Sequence, residues 1–260
     1  MSEVISIANQ KGGVGKTTTA VNLSASLAKK GKRVLLIDAD PQANATTNLG
    51  LKRTDYEFNI YHVLIGNKEL SDIVISTDYK KLDLAPSNIG LVGIEKEFYD
   101  KKNSGRELIL REKIAKIKDQ YDYIIIDSPP ALGPITINAL AASDSVIVPI
   151  QCEFFALEGL AQLLNTISLI RKSINKNLKI KGFLPTMYSG QNNLSKQVLE
   201  DLEYHFKDKL FKSKKSSIVV PRNVKVAESP SFGEPVVTYA AKSKGSLAYQ
   251  DLANSIIKSR

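Results

Sequence analysis

The chain has 260 residues, 43% hydrophobic and 24% charged, enough for a sizeable core in an ordinary globular composition. A lone Cys152 excludes an internal disulfide and any cysteine-built zinc or iron–sulfur cage within one chain. The net charge of +9 is unevenly placed: from Arg171 onward 17 Lys+Arg face 7 Asp+Glu, whereas the first 170 residues hold 19 against 20. The whole excess is therefore C-terminal, which suits either a polyanionic partner, nucleic acid or anionic lipid, or a solvated basic face.

The opening stretch "MSEVISIANQ" has neither a basic segment nor an apolar core, and no apolar run reaches the roughly 18–20 residues of a membrane span, so a cytoplasmic protein is expected. The strand "VISIAN" runs into "QKGGVGKTTTA" and a helix over 17–30, with Gly31 as its C-cap. "RVLLID" follows as a strand ending at Asp38, then "LDLAP", a helix over 106–118, and "YIIIDSP" carrying Asp127. Next come a helix over 135–142, the strand "SVIVPI", a helix over 157–171, the strand "KIKGFLPT", and helices over 194–206 and 246–258. "KKNSG" and "FKSKKSS" read as polar loops. Continuous apolar strands alternating with amphipathic helices predict one doubly wound α/β domain over 1–260, with a mostly parallel sheet flanked by helices. Ligand loops then fall at the carboxyl ends of the strands.

A glycine-rich turn between a strand and a helix is the setting a phosphate-binding loop requires. Gly12, Gly13 and Gly15 let the backbone around Val14 approach an anion closely, so that amide N–H groups and the helix N-terminus face phosphate oxygens. Lys16 neutralises charge at the β/γ bridge, Thr17 offers its hydroxyl to Mg²⁺, and Thr18 reaches the α-phosphate. The strict spacing G-x-x-x-x-G-K-[ST] nevertheless fails, because its first glycine falls on Gln10, and a second lysine, Lys11, follows directly. Asp127, after a buried strand, is placed to hold Mg²⁺ with Thr17. Asp38, at a strand end on the same side as Asp40, supports the loop and the metal's outer shell or caps a helix.

With this altered loop, "LLIDADPQANATTNLG", "YDYIIIDSPPALG", "VPRNVKVAESPSFGEPV" and "SKGSLAYQDLA", nearly the whole chain resembles the deviant Walker A class of P-loop ATPases. Its nearest likeness is the ParA/Soj branch, which segregates chromosomes and plasmids. The resemblance implies that Lys11 reaches phosphates bound by a second subunit, so that ATP holds a homodimer together. It implies that Asp40 activates the attacking water and that "SPPALGPITINAL" is a second switch segment. Pro221 and Asn223 would approach the adenine, near Thr186 and Met187. It also implies slow hydrolysis accelerated by a ParB/Spo0J-type centromere-binding protein, and residence on the nucleoid. With no segment before the first strand, a separate operator-binding module is not expected.

Lys212, Lys214, Lys215, Arg222, Lys225, Lys242 and Lys244 lie in or beside the C-terminal motifs. Without interleaved aromatic residues they suit sequence-independent contact with double-stranded DNA phosphates, Arg222 and Lys225 sharing one face if helical. Gln191 stands where the family often has a DNA-contacting arginine. Two alternatives stay open within the same fold: a MinD-like ATPase that positions division machinery on a membrane through a C-terminal amphipathic helix, and a ParA-like ATPase for another cargo. Leu252, Ile256 and Ile257 in the last helix favour core packing over lipid, so no membrane partner is expected. A reductase or iron–sulfur carrier of this fold needs paired cysteines, which Cys152 does not supply.

Overall fold

Both faces of the central strands are apolar, and both are covered. The computed structural model describes residues 2–100, 105–153, 156–214 and 216–259. Among them, β1 (Glu3–Ile7), β2 (Val34–Asp38), β3 (Ile75–Ser76), β4 (Leu82–Ala85), β5 (Tyr123–Asp127), β6 (Ser145–Gln151) and β7 (Lys179–Thr186) form one sheet in the order β3-β4-β2-β5-β1-β6-β7. All neighbours are parallel except β3, which runs antiparallel to β4 at the edge. The doubly wound, mostly parallel sheet expected from the sequence is thus present. The helices are α1 (Lys16–Lys29), α2 (Asn44–Thr47), α3 (Ile60–Leu64), α4 (Ile94–Asp100), α5 (Ile109–Ala115) and α6 (Pro134–Ala142), then α7 (Ala156–Ser173), α8 (Asn193–Phe206), α9 (Val224–Glu228), α10 (Val236–Tyr239) and α11 (Lys244–Lys258).

Alternation along each strand divides the core. Ile5, Ile7, Leu36 and Ile125 pack beneath α1 and α11, while Val4, Leu35, Ile37, Ile124 and Ile126 pack on the opposite face with Ile60, Leu110 and Ile114. A third cluster joins β6 and β7 to α7 and α8 through Val148, Leu163, Phe183 and Leu202. Leu252 and Ile256 of α11 are fully buried in the α1 cluster, and Ile257 packs against it. Each fully buried side chain of this size contributes about 1.5–3 kcal/mol. The apolar face of α11 is therefore spent on the core, and no helix among the described residues is long and apolar enough to cross a membrane.

Two expectations need correction here. The helix expected over 106–118 is broken into a 3₁₀ turn at Arg106–Leu108, α5, and another turn at Lys118–Gln120. Asn138 of α6 holds the first break: its amide nitrogen donates to the Arg106 carbonyl at 3.0 Å and its oxygen accepts from the Leu110 N–H at 3.2 Å. The polar segment "FKSKKSS" carries a short antiparallel pair, β8 (Lys212–Ser213) with β9 (Ser216–Ser217), rather than an open loop. Residues 101–104 of "KKNSG" and Lys215 lie outside the described residues.

Candidate nucleotide site

The site lies where the strand order reverses. β1 has β5 on one side and β6 on the other, and the chain leaves β1 through the glycine loop into α1. Crevices of this kind, at carboxyl strand ends, are where doubly wound sheets bind ligands. Registers set the carboxylates: Asp127 pairs with both Ile7 of β1 and Asp38 of β2, so the two acids stand side by side next to the loop.

The loop is held by its neighbours rather than by itself. The Asn9 amide donates to the Pro149 carbonyl at 2.7 Å and accepts from the Lys11 N–H at 3.1 Å. Thr186, at the end of β7, donates to the Val14 carbonyl at 2.8 Å, and the Val14 side chain is buried. Gly13 and Gly15 adopt φ of 73° and 87°, the left-handed region where a side chain is strained. A Cβ built on Gly12 or Gly13 meets nothing within 4 Å, so the loop encloses open space. Gly15 caps α1 without a side-chain hydrogen bond, and the first turn of α1 holds no acid. Its N–H groups are left for an anion, as phosphate-binding helices require.

Lys16 is 7% exposed, and its Nζ donates to the Lys11 carbonyl at 3.0 Å. Burial draws its pKa below the ordinary lysine value, while the charges of Asp127 and then Asp40 oppose that shift. Asp127 is fully buried and its two oxygens have no hydrogen-bond partner at conventional distance. Burial pushes its pKa well above the carboxylate range, Asp38 adds to the rise, and the nearby Thr17 hydroxyl opposes it. Two adjacent buried carboxylates, one of them unpartnered, are the environment a divalent cation relieves, so the residues present fit Mg²⁺. Asp38 is differently employed. Its oxygens accept from the Asp40 N–H (3.1 Å), the Thr46 N–H (2.8 Å) and the Thr46 hydroxyl (2.7 Å). Burial raises its pKa and these bonds draw it back. Asp40, 8% exposed, accepts from the Gln42 N–H at 2.9 Å at the mouth of the crevice.

Lys16, Asp38, Asp40 and Asp127 are thus brought together, with Thr17 beside Asp127. Thr18, on the first turn of α1, accepts at its carbonyl from the Asn22 amide at 2.8 Å. Lys11, 33% exposed, has its Nζ 3.9 Å from Glu153. Pro221 pairs with Tyr188 and lines a cleft of about 630 Å³ shared with Ser213, Ser217 and Lys244. The Asn223 oxygen caps α9 by accepting from the N–H groups of Lys225 and Val226.

The described basic residues of the C-terminal motifs lie on the surface. Lys212, Lys214, Arg222, Lys225, Lys242 and Lys244 are all exposed. Arg222 and Lys225 do not share a helix face: Asn223, extended at φ −147°, starts α9 after Arg222. Arg222 lies 3.5 Å from Glu153, whereas Lys225 pairs with Glu228 at 2.5 Å. Sequence reasoning missed Asn9, Thr46, Ser87, whose N–H donates to the Thr46 hydroxyl at 3.2 Å, and Glu153. Asn9 had a signal in its place at the end of β1, but the others act through partners distant in sequence.

A strand, a glycine loop held open at a helix N-terminus, a buried lysine and strand-end carboxylates define a P-loop nucleotide-binding protein. Residues 2–180 match a family model described as an AAA domain. The chain is 48% identical over 256 residues to the sporulation initiation inhibitor protein Soj of Bacillus subtilis, covering 98% of each chain. It is also 48% identical to the chromosome partitioning protein ParA of Caulobacter vibrioides, covering 98% of this chain and 93% of that one. The chain belongs to the ParA/Soj family of chromosome-partitioning ATPases. Among solved structures, cobyrinic acid a,c-diamide synthase of Mycobacterium smegmatis superposes with a TM-score of 0.84 at 36% identity, covering 99% of this chain and 95% of that one. It was seen with bound ADP and magnesium, and with an ATP analogue and magnesium.

Proposed function

We propose that this chain, as one domain over 1–260, is an ATP-driven DNA-partitioning switch: ATP joins two copies, the pair binds duplex DNA irrespective of sequence, and hydrolysis dissolves it. The observation that supports this best is the buried Lys16 facing Asp127 and Asp40 across an open glycine cradle, in a chain nearly half identical to chromosome-partitioning proteins.

The amides of Gly12, Gly13, Val14 and Gly15 with Lys16 receive the β- and γ-phosphates, and Thr18 reaches the α-phosphate. Thr17 and Asp127 hold Mg²⁺, with Asp38 bracing the loop behind them. Magnesium bound there supplies charge neutralisation at the phosphates. Asp40 orients the attacking water, Pro221 and Asn223 border the adenine, and Lys11 serves the phosphates of the second copy. Lys16 being buried and Lys11 only partly buried agrees with that division of labour. Arg222, Lys225, Lys212, Lys214, Lys215, Lys242 and Lys244 provide the phosphate contacts to DNA, doubled in the pair. A ParB/Spo0J-type protein accelerates hydrolysis, and the ATP-bound pair resides on the nucleoid in the cytoplasm.

The test is duplex binding measured with ATP and with ADP across a salt series. The ATP state binds arbitrary sequence, with log affinity falling by about 0.9 per phosphate contact per log unit of salt. Equal binding in the two states refutes the switch.

A further inference from the structure

Glu153, two residues past the end of β6, stands between two cations that the proposed function places in different tasks. Its Oε2 is 3.9 Å from the Lys11 Nζ, and its Oε1 is 3.5 Å from an Arg222 guanidinium nitrogen. Gln151 fixes the carboxylate between them: its amide donates to the same Oε1 at 2.6 Å, and its carbonyl accepts the Glu153 N–H at 2.8 Å. Arg222 is anchored at its backbone as well, its N–H donating to the Tyr188 carbonyl at 2.9 Å. The backbone of this corner is tied down by β6 and β7, since Cys152 N–H donates to the Thr186 carbonyl at 3.1 Å. What stays adjustable is the pair of long cationic side chains meeting on one carboxylate.

We propose that Glu153 is a positioning residue, a shared counter-ion that holds Lys11 and Arg222 back from phosphate ligands in the nucleotide-free chain. This rests on the reading of Lys11 as the residue that serves a second copy's ATP and of Arg222 as a DNA contact. Each cation carries a full charge that a phosphate would use, and each is engaged by an internal anion first. Binding of either polyanion must therefore displace Glu153, and the chain without nucleotide binds DNA more weakly than its surface charge allows. The pairs are partly exposed, Glu153 at 45% and Arg222 at 66%, so solvent screens them and the restraint is modest. Because the side chain is exposed and touches no core residue in these contacts, Glu153→Gln keeps the size and the Gln151 contact while removing the charge.

The experiment compares wild type, Glu153→Gln, Arg222→Ala and the double variant for binding to a random-sequence duplex without nucleotide and with ATP and magnesium, across a salt series. Glu203→Gln, whose carboxylate accepts only from the Ser217 hydroxyl at 2.6 Å in the described contacts, controls for generic loss of negative charge. Expected for Glu153→Gln is a gain of about 2- to 5-fold in nucleotide-free affinity, a salt slope steeper by about one contact, and a smaller ATP-to-free ratio. In the Arg222→Ala background the gain disappears. In parallel, ATP-driven pairing, followed by light scattering, shifts to lower protein concentration in Glu153→Gln, and Lys11→Ala abolishes it whether or not Glu153 is replaced. An unchanged nucleotide-free affinity, a gain matched by Glu203→Gln, or a gain that survives Arg222→Ala overturns the proposal. Failure of the wild type itself to bind DNA with ATP overturns instead the function on which it rests.

Discussion

Replacing Thr46 with valine isolates a support of the Asp38–Asp40 loop without replacing any residue proposed to contact the nucleotide. Thr46 is 1% exposed, and its hydroxyl donates to Asp38 Oδ2 at 2.7 Å while accepting from the Ser87 N–H at 3.2 Å. Valine has nearly the same shape but can do neither. A hydrogen bond to a buried carboxylate contributes about 1.5–3 kcal/mol, and an orphaned buried N–H costs about 1–3 kcal/mol where relaxation is limited. Partial relaxation leaves a net loss of about 2–4 kcal/mol, or roughly 5–12 °C in melting temperature for a domain of this size. The same Asp38 carboxylate accepts the Asp40 N–H at 3.1 Å, so loosening it also lets Asp40 drift. ATP turnover then falls more than ATP affinity does. Thr47→Val is the control: Thr47 is exposed and its hydroxyl bonds locally to Ala43 and Asn44, so it stays within about 0.5 kcal/mol of wild type. Scanning calorimetry and steady-state phosphate release measure both effects. A Thr46→Val protein that melts with wild type and hydrolyses ATP at the wild-type rate refutes the claim that the Asp38–Thr46 contact holds the loop.

Lys16→Ala lowers ATP affinity by roughly 10- to 100-fold in equilibrium titration, if the buried cation is the phosphate donor proposed; Lys11→Ala leaves affinity within a few-fold but abolishes ATP-dependent pairing in sedimentation. Gly182→Ala destabilises the fold by about 1–3 kcal/mol in urea unfolding, because a Cβ there comes within 2.7 Å of the Lys209 carbonyl and the Phe211 ring, and the backbone oxygen cannot swing aside. The buried Cys152 thiol, pushed up to about 12 by burial from an ordinary 9.0, reacts with a disulfide reagent at pH 8 only after denaturation. Since the folded chain keeps this proton more tightly than the unfolded one, its contribution to stability is intact at neutral pH and declines as pH rises above about 9 towards 12.

What could be read from sequence followed from local rules. A strand, glycines, a lysine and a helix in succession specify the loop, and an acid ending an apolar run specifies a strand-end carboxylate; Gly13, Gly15, Lys16 and Asp127 all lie where those rules put them. Contacts made across the sequence were invisible. Asn138 breaks the 106–118 helix from a neighbouring helix, and Thr46 ties Asp38 to Ser87 across 41 residues. Glu153 meets Lys11 and Arg222 from positions 142 and 69 residues away. The spacing of Arg222 and Lys225 misled for a related reason. A three-residue interval predicts one face only if both positions are helical, and the Asn223 cap starts the helix between them.

The two lysines of the loop differ in environment more than in sequence position, and the difference decides what each can do. Lys16 carries its charge in a site 7% exposed, so taking it out of water is unfavourable unless anions surround it. Asp127, Asp40 and the Lys11 carbonyl provide part of that compensation, on the inner side of the loop. In the proposed function a phosphate chain in the open cradle would complete it, a contribution to nucleotide affinity that an exposed lysine could not match. Lys11 is a third exposed and its single described ionic partner is an exposed carboxylate 3.9 Å away, so it loses little by leaving. Its own carbonyl is meanwhile held by Lys16 and its N–H by Asn9, so the backbone stays fixed while the side chain is free to swing outward. A lysine fixed at its root and weakly held at its tip is suited to reach an anion outside its own subunit, whereas one buried at both ends is not.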